Sequence, residues 1–224
     1  ENNIPLHDVP SEASPLIIRI HDAMFRSEVM KQRSEVAGEW NDRAFSLLRE
    51  GLTSSALKEK QNPRMSVYSD QIVWGRSPVR IDLAVGWTDT PPYCLMEGGD
   101  VVNIAIDMNG QQPIQTYVRP CREPHIVLRS IDLGSAEKIT TYDELRDFHH
   151  VGSPFSIPKA ALALCGFLPE YSLHKYQSLR EQLEDFGCGI EVTLLSAIPA
   201  GSGLGTSSVL AATVLGTLSD FCSL

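Results

Sequence analysis

Apolar positions recur at helical spacing in the first part of the chain, at strand spacing in the second, and in a mixture of the two in the third. Ser11, Glu12 and Pro15 make a helix entry, and Ile17, Ile20, Ala23 and Met24 follow at helical intervals. A second run places Val36, Trp40, Ala44, Phe45, Leu48 and Leu52 on one face and ends near Gly51 to Ser55. Lys31, Arg33, Glu35, Glu39, Asp42 and Arg43 lie between these faces and read as solvated charge. Residues 1–69 are therefore expected to form a helical arm or linker. The run Lys58-Glu59-Lys60-Gln61-Asn62-Pro63 is expected to be an exposed boundary.

From about Val67 to His150 the alternation becomes that of strands. Ile72 to Arg76, Val79 to Val85 and Asp100 to Met108 are candidates, the last rich in Val and Ile. Asn109-Gly110 is a strong hairpin signal, with Ile114 to Val118 as the returning strand and Ile126-Val127-Leu128 as another. The third part opens with Pro158 in a first helical turn ahead of Ala160 to Leu168. Leu173, Tyr176, Leu179, Leu183 and Phe186 form an apolar stripe at steps of three and four that Gly187 closes. Gly189 to Leu194 alternates as a strand. Pro199 to Ser208 is a loop, and Val209 to Leu218 is a helix.

Composition narrows the classes. The 224 residues are 42% hydrophobic and 21% charged, which suits a folded core. A net charge of -9 with no long basic run argues against a nucleic-acid duplex as partner. No apolar stretch reaches the ~18 residues of a membrane span. The five cysteines form no CxxC pair, which points to reduced thiols and a cytoplasmic protein. The start, Glu1-Asn2-Asn3-Ile4-Pro5, has neither an initiator Met nor a signal-peptide layout and reads as an internal start.

Candidate chemistry concentrates in two stretches. Pro199-Ala200-Gly201-Ser202-Gly203-Leu204-Gly205-Thr206-Ser207-Ser208 lies between a strand and a helix. Glycines at alternate positions allow tight turning and close approach of a ligand. The helix start directs unpaired N–H groups and a positive dipole end into the loop, which suits phosphate. The hydroxyls of Thr206, Ser207 and Ser208 add donors, or an oxygen for Mg²⁺. The loop is neither a Walker P-loop, since it has no Lys, nor a dinucleotide fingerprint, since the third glycine comes too early. Taken alone, it also reads as a flexible connection. In the second stretch, Arg80 falls within a mostly apolar strand. A charge there faces either a cleft or the open side of a half-buried sheet. Asp89, in a loop stiffened by Pro91-Pro92, is either a ligand-binding carboxylate or a turn aspartate. His149-His150 has no third metal ligand spaced nearby, and Lys159 reads as a surface residue.

Together the two stretches resemble the first and second motifs of the GHMP kinases, in the expected order and over about Ile72 to Leu218. The resemblance implies an α+β fold of the ribosomal protein S5 domain 2 type over residues 70–224, preceded by the helical arm. It implies ATP and Mg²⁺ as cofactors, with the phosphates wrapped by Pro199, Gly201, Ser202, Gly203, Leu204, Gly205, Thr206, Ser207 and Ser208, and with Ser207 assisting the metal. It places Arg80 near the reacting hydroxyl and the transferred phosphate, and a sugar at Thr88, Asp89, Glu97, Gly98 and Gly99. Gly86-Trp87-Thr88-Asp89-Thr90-Pro91-Pro92 is similar to the form in the fucokinase and heptose-phosphate kinase branches, and Gly201 to Ser208 to that of the fucokinases. The implied reaction is phosphorylation of the anomeric hydroxyl of L-fucose. The implied partners are the remainder of the kinase and a fused guanylyltransferase. The family's third glycine-rich motif and its general base are expected beyond Leu224.

Overall fold

The apolar spacing of the first part produces two helices, α1 (Leu16–Gln32) and α2 (Gly38–Ala56). The computed structural model describes residues 5–33, 38–56, 60–90, 93–149, 153–199 and 201–224. Expectations placed on Val36, Pro91, Pro92, His150, Ala200 and the Leu52 side chain thus lie outside the described residues. By contact density the chain forms two compact units, Glu1–Lys58 with Leu83–Val102, and Glu59–Asp82 with Asn103–Leu224.

In the first unit, Ile20, Ala23, Val29, Ala44 and Leu47 are the buried apolar residues of α1 and α2. The two helices come close where Gly51 meets Leu16, whose Cδ2 would stand 2.7 Å from a Cβ on the glycine. Met24 and Phe45, expected on the inner faces, are exposed, because α1 buries Ile20, Ala23 and Val29 and α2 buries Ala44 and Leu47 instead. Arg26 is buried yet fully engaged. It bonds Asp22 at 2.7 Å and the His7 carbonyl, and it lies 5.1 Å from the ring centre of Trp40.

The second unit is built on β1 (Val73–Ser77), β4 (Ile114–Cys121), β5 (Ile126–Ser130), β6 (Ser135–Ile139) and β7 (Gly189–Ser196), in the order β1-β4-β7-β5-β6. β5 and β7 are parallel, and the other neighbours are antiparallel. β2 (Val79–Ala84) and β3 (Val102–Ile106) form a separate two-stranded sheet. The Asn109-Gly110 turn forms as expected, with both residues left-handed and a Met108–Gln111 bridge. The strands flanking it do not pair with each other, however. Pro113 lacks an N–H to extend the ladder, and Ile114 instead pairs with Ser77 and Ser196.

One face of the large sheet is apolar by simple alternation. Ile114 and Val118 of β4, Ile126 and Leu128 of β5, and Ile190, Val192 and Leu194 of β7 are all buried. The helices of this unit include α4 (Tyr142–Arg146), α5 (Ser156–Leu162), α6 (Leu179–Phe186) and α7 (Thr206–Cys222), with a short α3 (Tyr93–Met96) in the first unit. α4 starts at a capping box. Thr141 accepts from the Glu144 N–H, and the Glu144 carboxylate, held below its ordinary pKa chiefly by the Thr140 N–H, caps in return. α5 is shorter than expected. The chain leaves α-geometry at Leu162 and makes a π-turn over Ala163–Phe167, because Gly166 turns left-handed at φ 97°. Leu173 and Tyr176 precede α6 rather than belonging to it, since Ser178 caps that helix. Gly187 closes it in the left-handed conformation, as expected.

Two polar expectations need correction. Gln61 to Pro63 are half-buried rather than an exposed boundary. The Gln61 N–H donates to the Tyr171 carbonyl (2.7 Å), and the Leu173 N–H donates to the Gln61 carbonyl (2.9 Å). Lys159 is not on the surface: it is 2% exposed, with its Nζ 2.6 Å from Glu137. The described cysteines are all free thiols. A hydrogen bond with Cys165, and then burial, push the Cys222 thiol far up.

Removing the carboxylate from Lys159 leaves an ammonium in the core. Glu137→Ala should destabilise by the lower end of the ~3–5 kcal/mol expected for breaking a buried pair, because Glu137 is partly exposed. Adding Lys159→Met should recover most of the loss in thermal melting. A melting point unchanged by Glu137→Ala would show that the pair contributes nothing.

Candidate functional site

The candidate residues fall into two groups, one in each unit. In the second unit, the turn between β7 and α7 carries Pro199, Gly201, Ser202, Gly203, Leu204 and Gly205. The Ser202 N–H donates to the Pro199 carbonyl at 3.3 Å. Gly201, Gly203 and Gly205 are all left-handed, at φ 79°, 75° and 67°. A Cβ on Gly201 or Gly203 would meet no atom within 4 Å, so backbone conformation alone asks for glycine there.

Gly205 carries a second demand. A Cβ on it would stand 2.6 Å from Nε of Arg80, 3.1 Å from its Cγ and 3.2 Å from its Cδ. The backbones meet as well, the Arg80 N–H reaching the Leu204 carbonyl at 3.5 Å. The Leu204 side chain packs on a small core cluster of Val79, Ile114 and Ile198. Arg80 and the glycine loop, distant in sequence, are thus brought into contact. Two residues further along β2, on the same face, Asp82 places Oδ1 3.5 Å from the Arg80 Nε.

α7 opens with Gly205 as its N-cap and no side chain capping its first turn. The Ser208 hydroxyl donates to the Gly205 carbonyl (2.9 Å), and the Ser202 and Thr206 hydroxyls are 3.5 Å apart. Ser207 is exposed. Helix N–H groups, a positive dipole end and hydroxyls on a glycine turn form a set of donors suited to an anion, with Ser207 able to offer oxygen to a divalent cation.

In the first unit, the stretch after β2 is strained. Val85 and Trp87 adopt φ 49° and 74°, and the left-handed region is costly for a β-branched residue. Local bonds offset the strain. Thr88 Oγ1 lies 2.8 Å from both the Val85 and Asp100 carbonyl oxygens and shares its one proton between them. Gly99 packs against the same turn. A Cβ there would be 2.2 Å from the Thr88 carbonyl oxygen and 2.8 Å from the Asp89 nitrogen. Thr88, Asp89 and Gly99 are therefore neighbours. Glu97 donates its N–H to the Tyr93 carbonyl (3.0 Å), and Gly98 turns left-handed at φ 74°.

A phosphorylated sugar would need a basic subsite, for which the sequence offers Arg119, Arg122 and Arg129; Arg119 and Arg129 both bind Glu191, at 2.9 and 3.2 Å. Among the described residues no group of three or more His, Cys, Asp or Glu is arranged to hold a metal, and no helix is long and apolar enough to cross a membrane. Sequence reasoning passed over Asp82. Its signal was available: Arg80-Ile81-Asp82 on a strand puts both charges on one face.

Residues 171–224 match the GHMP kinases N terminal domain. It is 61% identical over 206 residues to the L-fucokinase/L-fucose-1-P guanylyltransferase of Bacteroides fragilis, a match covering 92% of this chain and 22% of that protein. It is 33% identical over 138 residues to the bifunctional fucokinase/GDP-fucose pyrophosphorylase of Arabidopsis thaliana, covering 62% of this chain and 12% of that protein. The chain thus spans less than a quarter of either relative. Among solved structures, the galactokinase of Lactococcus lactis aligns with a TM-score of 0.48 at 20% identity, over 80% of this chain and 38% of that one.

The Thr88 hydroxyl ties the turn to both the Val85 and Asp100 carbonyls. Thr88→Val should speed amide hydrogen exchange across 85–100 by about the ~1 kcal/mol worth of a typical hydrogen bond, roughly fivefold, leaving the large sheet unchanged. Exchange mass spectrometry that shows 85–100 unaffected would remove Thr88 from this role.

Proposed function

We propose that this chain belongs to an L-fucokinase that transfers the γ-phosphoryl group of ATP to the anomeric hydroxyl of L-fucose, giving L-fucose 1-phosphate. The observation that carries the proposal is the contact between Arg80 and Gly205. It joins the guanidinium stem to the glycine loop, where a transferring phosphoryl group would need a fixed positive charge. The 61% identity to the Bacteroides fragilis protein supports the sugar assignment.

In this reading the backbone of Pro199 and Gly201 to Gly205, with Thr206, Ser207 and Ser208, holds the nucleotide phosphates. Mg²⁺, when bound, neutralises charge on the phosphate oxygens, and Ser207 is the hydroxyl offered to it. Thr88, Asp89, Glu97, Gly98 and Gly99 form the sugar side, with the Asp89 carboxylate accepting sugar hydroxyl hydrogens. Residues 1–69 act as the connecting arm between a fused guanylyltransferase and the kinase domain over 70–224. The general base comes from the remainder of the kinase, and the protein works in the cytoplasm. A heptose-phosphate substrate would need a basic subsite of its own. Arg119 and Arg129 share one carboxylate, Glu191, which engages both and offsets half of their charge.

The test is ADP release by the full-length protein with Mg-ATP and L-fucose, D-arabinose, D-galactose or a heptose 7-phosphate. L-Fucose should exceed the others, and Arg80→Ala should lower kcat by ~10²–10³-fold in a folded protein. Preference for the heptose phosphate would overturn the substrate. Binding of ATP without turnover of any sugar would favour a non-catalytic sensor on the same fold.

A further inference from the structure

We infer that Asp82 is a positioning residue, which holds the Arg80 guanidinium against the glycine loop in the orientation that phosphoryl transfer uses. The inference rests on the functional reading above and deepens it. Three observations carry it. Arg80 and Asp82 stand on one face of β2, with Arg80 Nε and Asp82 Oδ1 3.5 Å apart and both atoms buried from solvent. The Arg80 stem runs against Gly205, where a Cβ would collide with Nε, Cγ and Cδ. The Arg80 backbone is tied to the Leu204 carbonyl.

The chemistry explains why a carboxylate belongs there. A lone acid beside a loop built for phosphates would repel the ligand and weaken the site. Set beside Nε, it acts on the arginine first. It favours one rotamer of a side chain with large conformational freedom, and it occupies the edge of the guanidinium next to the stem. Gly205 limits the stem further by steric contact. The arginine is thereby pre-set before substrate arrives, so the site need not reorganise as charge develops on the phosphoryl group. Asp82 itself touches neither ligand in this account, and its effect runs through Arg80.

The experiment uses the full-length protein and the variants Asp82→Ala, Asp82→Asn, Arg80→Ala and the Asp82→Ala/Arg80→Ala double. Circular dichroism and melting temperature confirm the fold. Asp82→Ala should lower kcat about 10- to 100-fold, the range seen when a partner orienting an active-site ligand is lost, with KM for Mg-ATP and L-fucose unchanged. Asp82→Asn keeps the side-chain shape and a dipole beside Nε without the charge, and should recover part of the loss. In the Arg80→Ala background, Asp82→Ala should add nothing, because its only route of action is gone. Wild-type kcat in Asp82→Ala, or an equal loss with and without Arg80, would overturn the inference.

A second readout does not depend on sugar turnover. Phenylglyoxal modification of Arg80, followed by peptide mass spectrometry with Arg119 and Arg146 as internal references, should be several-fold faster in Asp82→Ala. An unchanged rate overturns the positioning role even if the fucokinase reading stands. A faster rate in a protein that phosphorylates no sugar would retain the positioning and discard the kinase. Should Asp82→Ala fail to fold, Asp82→Asn carries both readouts, with the same direction and smaller size.

Discussion

α7 can lie as close to β1 as it does only because Gly75 has no side chain. A Cβ there would sit 1.9 Å from the Thr217 hydroxyl, so any other residue would push the helix off the sheet. The contact is polar at its centre and still satisfied. Thr217 returns its hydroxyl to the Thr213 carbonyl (2.6 Å), and the Thr213 hydroxyl lies 2.7 Å from both Ser77 Oγ and the Val209 carbonyl. Around it, Val214, Leu218 and Phe221 are buried in the main core. The first turn of this helix carries the donors of the proposed phosphate site. That site is only as well placed as the helix, which is located by packing rather than by the loop.

The loop is then fixed from the other side by β2. Gly205 meets two demands at once, a left-handed backbone at the helix start and space for the Arg80 stem. Replacing it with a residue that tolerates the backbone, such as Asn, would satisfy the first demand and fail the second. Leu204 contributes in the opposite way, by anchoring its side chain in the Val79, Ile114 and Ile198 cluster. The loop thus joins an open part, Gly201 to Gly203, to a part held by packing, Leu204 and Gly205.

Local chemistry made much of this readable from sequence, and long-range packing hid the rest. The Asn109-Gly110 turn and the Gly187 helix stop are short-range signals and appear where expected, whereas α7 extends beyond the expected Val209 to Leu218 at both ends, from Thr206 to Cys222. The partners of β3 and β4 did not follow from the turn between them, because pairing is decided by which strands reach one another in the folded chain. Lys159 was misread for a similar reason. Helical position says which face a lysine is on, but only the arrival of β6 supplies Glu137. In the site, the motif Gly201 to Ser208 and the residue Arg80 stood out, yet their contact through Gly205 was not legible. Nor was the demand on Gly99, whose missing Cβ makes room for the Thr88 carbonyl rather than for a ligand.

The two groups of candidate residues are stabilised by different physics, and their mobility should differ accordingly. The glycine loop stands on buried hydrocarbon and a helix locked to the sheet, so opening it exposes apolar surface. The turn from Val85 to Asp100 is built differently. Trp87 is 81% exposed and Val85 is 54% exposed, both in a strained backbone conformation, and the turn is held by the shared Thr88 proton and the close approach of Gly99. Opening it releases strain and loses little burial. A phosphate cradle that must present charge accurately gains from rigidity. A turn that must admit a ligand and let the product go gains from a shallow local minimum. The left-handed conformation of Val85, which nothing in its side chain favours, fits a segment kept close to the edge of its own stability.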